Sequence, residues 1–96
     1  NNDMVLLMRY FGLGVDFNMP DYDNRTALHL AASNGHLNVV KFLVQRGKVD
    51  VNFLDRWQGT ALDDAIREEY EDVCKYLKDK GCQRGEDLLQ KAMRHF

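Results

Sequence analysis

Apolar positions along the chain fall into short clusters separated by turn-forming residues, and within each cluster the spacing is helical. After Thr26, the positions Leu28, Ala31 and Ala32 recur at three and four residues, one stripe along a helix whose small members permit close approach. Thr26 stands where an N-cap belongs, because its side-chain oxygen can accept a hydrogen bond from an otherwise unpaired backbone N–H. Gly35 breaks this helix, since glycine reaches positive φ without a Cβ clash. A second helix is predicted through Leu37, Val40, Phe42, Leu43 and Val44, with Gly47 as its C-terminal cap. Thr60 to Lys80 repeats the plan, and Gly81 closes it. Beyond Gly85, the residues Leu88, Leu89, Ala92, Met93 and Phe96 share one helical face. Glu86 and Asp87 in its first turn and Arg94 and His95 in its last suit the helix dipole.

The two central units are copies of one another at a spacing of 34 residues. Asp21-Tyr22-Asp23-Asn24-Arg25-Thr26-Ala27-Leu28-His29 aligns with Asp55-Arg56-Trp57-Gln58-Gly59-Thr60-Ala61-Leu62-Asp63. At the same offset Ala31 meets Ala65, Val39 meets Val73, Leu43 meets Leu77 and Gly47 meets Gly81. A weaker echo upstream, at 33 residues, sets Leu6 and Leu7 under Val39 and Val40 and Gly14 under Gly47. A helix pair with one apolar face cannot bury it alone, and stacking on a neighbour supplies the missing partner. The expected architecture is therefore an all-α solenoid of stacked helix-turn-helix units with turn tips. It comprises about two and a half repeats plus a C-terminal helix, in a single domain over 1–96. A partial repeat spans 2–20, full repeats span 21–54 and 55–84, and a helix over 86–96 caps the last repeat. A linker or partner helix is the alternative reading of that last segment.

The chain has 96 residues, enough for one small domain of marginal stability, and it reads as a piece of something longer. A net charge of −2 gives no electrostatic reason to expect nucleic acid or an anionic membrane as partner. The longest apolar run, Met4 to Met8, is far too short to span a bilayer. Cys74 and Cys82, the two cysteines, match neither a zinc site nor a secreted disulfide framework and are read as free thiols in a reducing compartment. No cofactor is expected.

The run Thr26-Ala27-Leu28-His29-Leu30-Ala31-Ala32-Ser33-Asn34-Gly35-His36 resembles the ankyrin repeat. It departs from that family in Ala27 and Ala61, where proline is usual, and in Glu69-Tyr70, where Gly-His is expected. A non-glycine residue in a left-handed turn costs about 1–2 kcal/mol, so the Glu69 turn is expected to be built differently. A narrower resemblance covers about Leu7 to Leu77. Asp21-Tyr22-Asp23, Arg25 to His29, Val39 to Leu43, Lys48-Val49, Asp55-Arg56-Trp57 and Leu62 to Ala65 look like the C-terminal ankyrin segment of animal-type (kidney and liver) glutaminases. Those enzymes share the extra residue between Gly47 and Asp55. The resemblance implies a parent that converts glutamine to glutamate and ammonia in an upstream domain with a Ser-x-x-Lys nucleophile. That chemistry does not transfer to these residues, because Ser33 is the sequence's one serine and His36 stands three places later. It also implies a mitochondrial location, or a cytoplasmic one if the parent is instead an adaptor, a channel or a kinase.

Among candidate residues, the resemblance gives His29 a structural role, its ring tying the Thr26 region to the neighbouring turn, and no Cys/His spacing supports a metal. Adjacent Asp63 and Asp64 point about 100° apart on a helix and suit its first turn. Glu68, Glu69, Glu71 and Asp72 read as a solvated face, with docking onto a basic partner as the alternative. Tyr22, Arg25, Arg56 and Trp57 are the candidate protein-binding residues: aromatics and arginine dominate interface hot spots, and these recur at matching turn positions. The alternative is that Trp57 packs between turns while Arg25 or Arg56 pairs with Asp21, Asp23 or Asp55. The expected partner is a protein, the parent's own catalytic domain or a second copy.

Overall fold

The computed structural model describes residues 8–9, 12–14 and 16–94; the expected upstream face at Leu6 and Leu7, like His95 and Phe96, lies outside them. Among the described residues there is no strand; residues 8, 9 and 12 are helical, and five further helices follow: α1 (Ala27–Ser33), α2 (Leu37–Gln45), α3 (Ala61–Arg67), α4 (Glu71–Asp79) and α5 (Gly85–Met93). Helix α1 packs on α2 and α3 on α4, while α1 also packs on α3 and α2 on α4. Two equivalent helix pairs therefore stack in a short rod of 44 × 26 × 23 Å.

The buried residues are those the periodicity selects. Leu28, Ala32, Val40 and Leu43 from the first pair and Leu62, Ala65, Val73 and Leu77 from the second lose nearly all contact with solvent. Ala32 and Ala65, with no side chain beyond Cβ, let the stacked helices approach closely. Thr26 and Thr60 hold the extended N-cap conformation, and each backbone N–H is accepted by the side chain three residues on. Thr26 donates to Nδ1 of His29 at 3.1 Å, and Thr60 to Oδ2 of Asp63 at 2.9 Å.

Two expectations about turns are corrected. Glu69, which replaces glycine, builds the same turn as Gly35: φ is 62° at Glu69 and 71° at Gly35. The closing bonds also match, with His36 N–H donating to the Ala31 carbonyl at 3.0 Å and Tyr70 N–H to that of Ala65 at 2.9 Å. The two helices flanking the turn fix its geometry, and Glu69 takes the strained conformation they require. Stacking also explains why Gly35 is glycine, since a Cβ there would come within 2.7 Å of the Tyr70 ring.

The second correction concerns the end of α2. Gly47 does not take the left-handed conformation; Lys48 does, at φ 53°, as Gly14 and Gly81 do in their own units. Lys48 and Gly81 hold the same place, for their carbonyls accept from the side-chain amides of Asn18 and Asn52 at 3.2 Å each. Asn18 and Asn52 in turn accept from the backbone N–H of Asp50 and Gln83, at 2.7 and 2.8 Å. The extra residue of the 34-residue period is thus inserted after Leu43 and before Lys48, upstream of the place expected from the alignment. Gly47 accommodates it because a Cβ would lie 2.9 Å from the Leu43 carbonyl and 3.1 Å from Phe17.

Candidate protein-binding surface

Each helix pair is preceded by a turn whose first aspartate organises it. Asp21 Oδ1 accepts the backbone N–H of Asp23 and of Arg25, both at 2.9 Å, and Asp55 Oδ1 accepts those of Trp57 and Gly59 at the same distance. These bonds fold the backbone tightly, with Asn24 and Gln58 left-handed at φ 57° and 63°. They also stabilise the carboxylate of Asp21, lowering its pKa: the Arg25 N–H is the largest cause, opposed by slight desolvation and helped by the Asp23 N–H. Neighbouring turns are joined by the Arg56 N–H, which donates to the Asp23 carbonyl at 2.7 Å.

The four candidate contact residues divide. Tyr22 is fully exposed at the first tip and Trp57 is 65% exposed at the second. Arg56 is exposed beside them, its guanidinium 6.0 Å from the Trp57 ring centre and its Nη1 3.5 Å from Asp23. Arg25 turns inward. Its two terminal nitrogens reach Asp55 Oδ2 at 2.8 Å and Asp64 Oδ2 at 2.9 Å, across the junction between repeats, with both carboxylates almost wholly buried. Arg67 also reaches Asp64, Nη2 to Oδ1 at 3.0 Å, from the solvent side. Tyr22, Arg56 and Trp57 thus form an exposed aromatic and cationic edge at the turn tips. Beside Trp57 lies an open hollow of about 260 Å³ that Gln58, Asp63, Asp64, Arg67 and Glu86 also line.

His29 is buried, and its hydrogen bonds fix its tautomer. Nδ1 accepts the Thr26 N–H, so Nε2 carries the proton and donates to the Gly59 carbonyl at 3.1 Å in the next turn. Asp63 holds the equivalent place in the second repeat and does the converse. Its Oδ2 accepts N–H groups from Thr60 at 2.9 Å and Gly85 at 2.7 Å, and its Oδ1 pairs with Arg84 at 3.1 Å. Burial opposes ionisation of Asp63, but the bonds from Gly85, Thr60 and Arg84 together prevail and lower its pKa. Sequence spacing gave Asp63 and Asp64 a helix-end role only; their partners, 22 and 39 residues away, carry no local signal. Cys82 is buried with its thiol donating to the Val51 carbonyl at 3.0 Å, and burial raises its pKa; Cys74 is half-buried, with its pKa also raised by burial. Among the described residues no cluster of histidine, cysteine and carboxylate side chains could hold a metal ion.

A family model of ankyrin repeats, in three copies, matches residues 1–88. The chain belongs to the ankyrin-repeat family. The mitochondrial liver isoform of glutaminase from Rattus norvegicus is 44% identical over 79 residues, covering 82% of this chain and 13% of that protein. Putative glutaminase 2 of Caenorhabditis elegans is 41% identical over 79% of the chain and 13% of its own length. Serine/threonine-protein kinase 12 of Arabidopsis thaliana is 46% identical over 71% of the chain and 15% of its length. The chain thus spans about an eighth of the glutaminases it resembles. Among solved structures, a chain from the complex of a Bdellovibrio bacteriovorus predatory endopeptidase with an immunity protein superposes with a TM-score of 0.74. That match is 30% identical and covers 80% of this chain and 39% of the other. Ankyrin repeats bind proteins and are not catalytic units. Among the described residues, no helix is long and apolar enough to cross a membrane.

Proposed function

We propose that this ankyrin array is a non-catalytic protein-binding module of a glutaminase, presenting Tyr22, Arg56 and Trp57 to its partner. The observation that carries the binding surface is the exposure of two aromatic tips in successive turns, held in line by the Arg56–Asp23 backbone bond. Tryptophan, tyrosine and arginine are the residue types most enriched among the few that carry most of the energy in protein interfaces. Arg25 serves this surface indirectly, by locking the second turn to α3. The glutaminase parent is supported by the rat and nematode similarities, and it brings a mitochondrial location with it. The similarity to the Arabidopsis kinase favours one other parent, a protein kinase with a regulatory ankyrin segment.

Two measurements test the two halves. An antibody to this chain captures the intact parent, and the bead-bound protein is assayed for ammonia release from glutamine. Activity that disappears when free chain blocks the antibody supports the glutaminase parent, and a captured protein that phosphorylates but releases no ammonia replaces it with the kinase. For the surface, binding of the captured partner to Trp57→Ala and Tyr22→Ala is compared with wild type. The expected loss in affinity is about tenfold or more for Trp57→Ala, with little change in melting temperature. Unchanged binding with a large fall in melting temperature would give Trp57 a packing role instead.

A further inference from the structure

Among the described residues, no helix covers the outer face of the repeat at 55–84. Its residues are the counterparts of those that the first repeat uses for stacking, 34 positions earlier. Ala32 and Val40 are completely buried in the first junction, whereas their counterparts Ile66 and Cys74 are 36% exposed and half-buried. The flanking positions change character: Leu37 and Val44, packed against the core, are replaced by Glu71 and Lys78, both exposed. Helix α5 leaves this face open, for its ties run from its N-terminus to Asp63 on the turn side of α3. The result is an open groove of about 730 Å³, lined by the apolar Ile66 and Cys74 and by the charged Glu69, Glu71, Lys75 and Lys78.

The charges on this face have an order. Along α4, Glu71, Cys74, Lys75 and Lys78 follow one another at spacings of three, one and three, which places them on a single stripe. One end of the stripe is negative, the other positive, and the midpoint falls between Cys74 and Lys75. A two-fold axis through that midpoint turns a second copy of α4 antiparallel to the first. Glu71 of each copy then faces Lys78 of the other, and the two Ile66–Cys74 patches meet. An isologous contact requires a patch complementary to itself, and the Glu71 and Lys78 ends of this stripe have that property, while the two Lys75 side chains meet beside the axis.

We propose that the end face formed by α3 and α4 binds a second copy of this chain through an antiparallel pair of α4 helices. The two apolar patches are covered, and two Glu71–Lys78 pairs fix the register. The patch is small, so the dimer is weak, with a dissociation constant on the order of 100 µM. This face lies apart from Tyr22 and Trp57, so the proposal stands or falls independently of the partner-binding surface.

The test uses the whole chain in sedimentation equilibrium from about 10 µM to about 1 mM. A reversible monomer–dimer equilibrium is expected. Glu71→Lys and Lys78→Glu, made singly, each remove both cross-pairs and juxtapose like charges, and should weaken the dimer about tenfold. The double variant carrying both substitutions should restore it. That restoration separates the proposal from an effect within the helix, because two reversals oppose the dipole of α4 more than one does. A short bis-maleimide should link Cys74 to Cys74, with Cys74→Ser abolishing the product. A chain monomeric at the highest concentration overturns the proposal, as does a dimer indifferent to both reversals. Cross-linking that survives Cys74→Ser would place the contact elsewhere, with the same consequence.

Discussion

Arg25 and Glu69 show how a single residue is governed by what stacks on it. Arg25 occupies a turn, yet its guanidinium lies between two buried carboxylates of the next repeat, Asp55 and Asp64. Truncating one member of a buried ionic cluster leaves the others uncompensated, at a cost of about 3–5 kcal/mol. Arg25→Ala should therefore lower stability by about 3 kcal/mol in urea denaturation, the lower end because Arg67 still holds Asp64. Arg25→Lys should recover less than half of this, since an ammonium cannot reach both carboxylates in the fork geometry. Glu69 is the opposite case, a residue whose own conformation is unfavourable. Glu69→Gly should raise stability by about 1 kcal/mol, read from the same denaturation curves, because glycine takes φ near 60° without a Cβ clash. The sequence reveals Leu28, Val40 or Leu77 as core because burial imposes a period. It does not reveal that Arg25 points inward while Arg56, which stands in the next turn at the place of Tyr22 rather than of Arg25, points outward. That choice depends on carboxylates 30 and 39 residues away.

At the scale of elements, α1 to α4 were legible from their caps and stripes, while the attachment of α5 was not. Its apolar stripe shows a helix, and Leu88 and Leu89 are indeed half-buried, but Ala92 and Met93 face solvent. What holds α5 is its N-terminus. Gly85 is buried so closely that a Cβ would collide with the Gln58 carbonyl, and its N–H donates to Asp63. This anchor depends on an ionised carboxylate, which sets the sign of its pH dependence. The folded-state pKa of Asp63 is depressed, so its contribution is complete above the unfolded value of about 3.9. It is lost as pH falls through the lower folded value. Amide exchange at Gly85 should stay slow from neutral pH down to about 5, after correction for intrinsic rates, and accelerate below about 4. Asp63→Asn should remove most of that transition and accelerate exchange at neutral pH. An unchanged profile in this variant would assign the acid sensitivity to another carboxylate, such as Asp21.

Across the whole molecule, the two repeats and α5 form a rod in which each unit touches its neighbours, the arrangement that makes stability a sum of units and junctions. Cys82 sits where the second repeat meets the loop after the first, its thiol bonded to Val51. Its alkylation should therefore follow global unfolding, with the same denaturant midpoint as circular dichroism, whereas half-buried Cys74 should react in the native state. Equal rates for the two thiols would mean that the C-terminal unit opens separately. The order of the repeats was plain from internal similarity, and the left-handed turn at Lys48 was not, because alignment placed Gly47 under Gly81. The exchange of His29 for Asp63 has a wider consequence. A histidine there offers a proton to the following turn, and the carboxylate asks for one. Successive units are therefore not interchangeable bricks: the first ends in a plug and the second in a socket. A further unit grafted after Lys80 would meet the wrong fitting until Asp63 was returned to histidine.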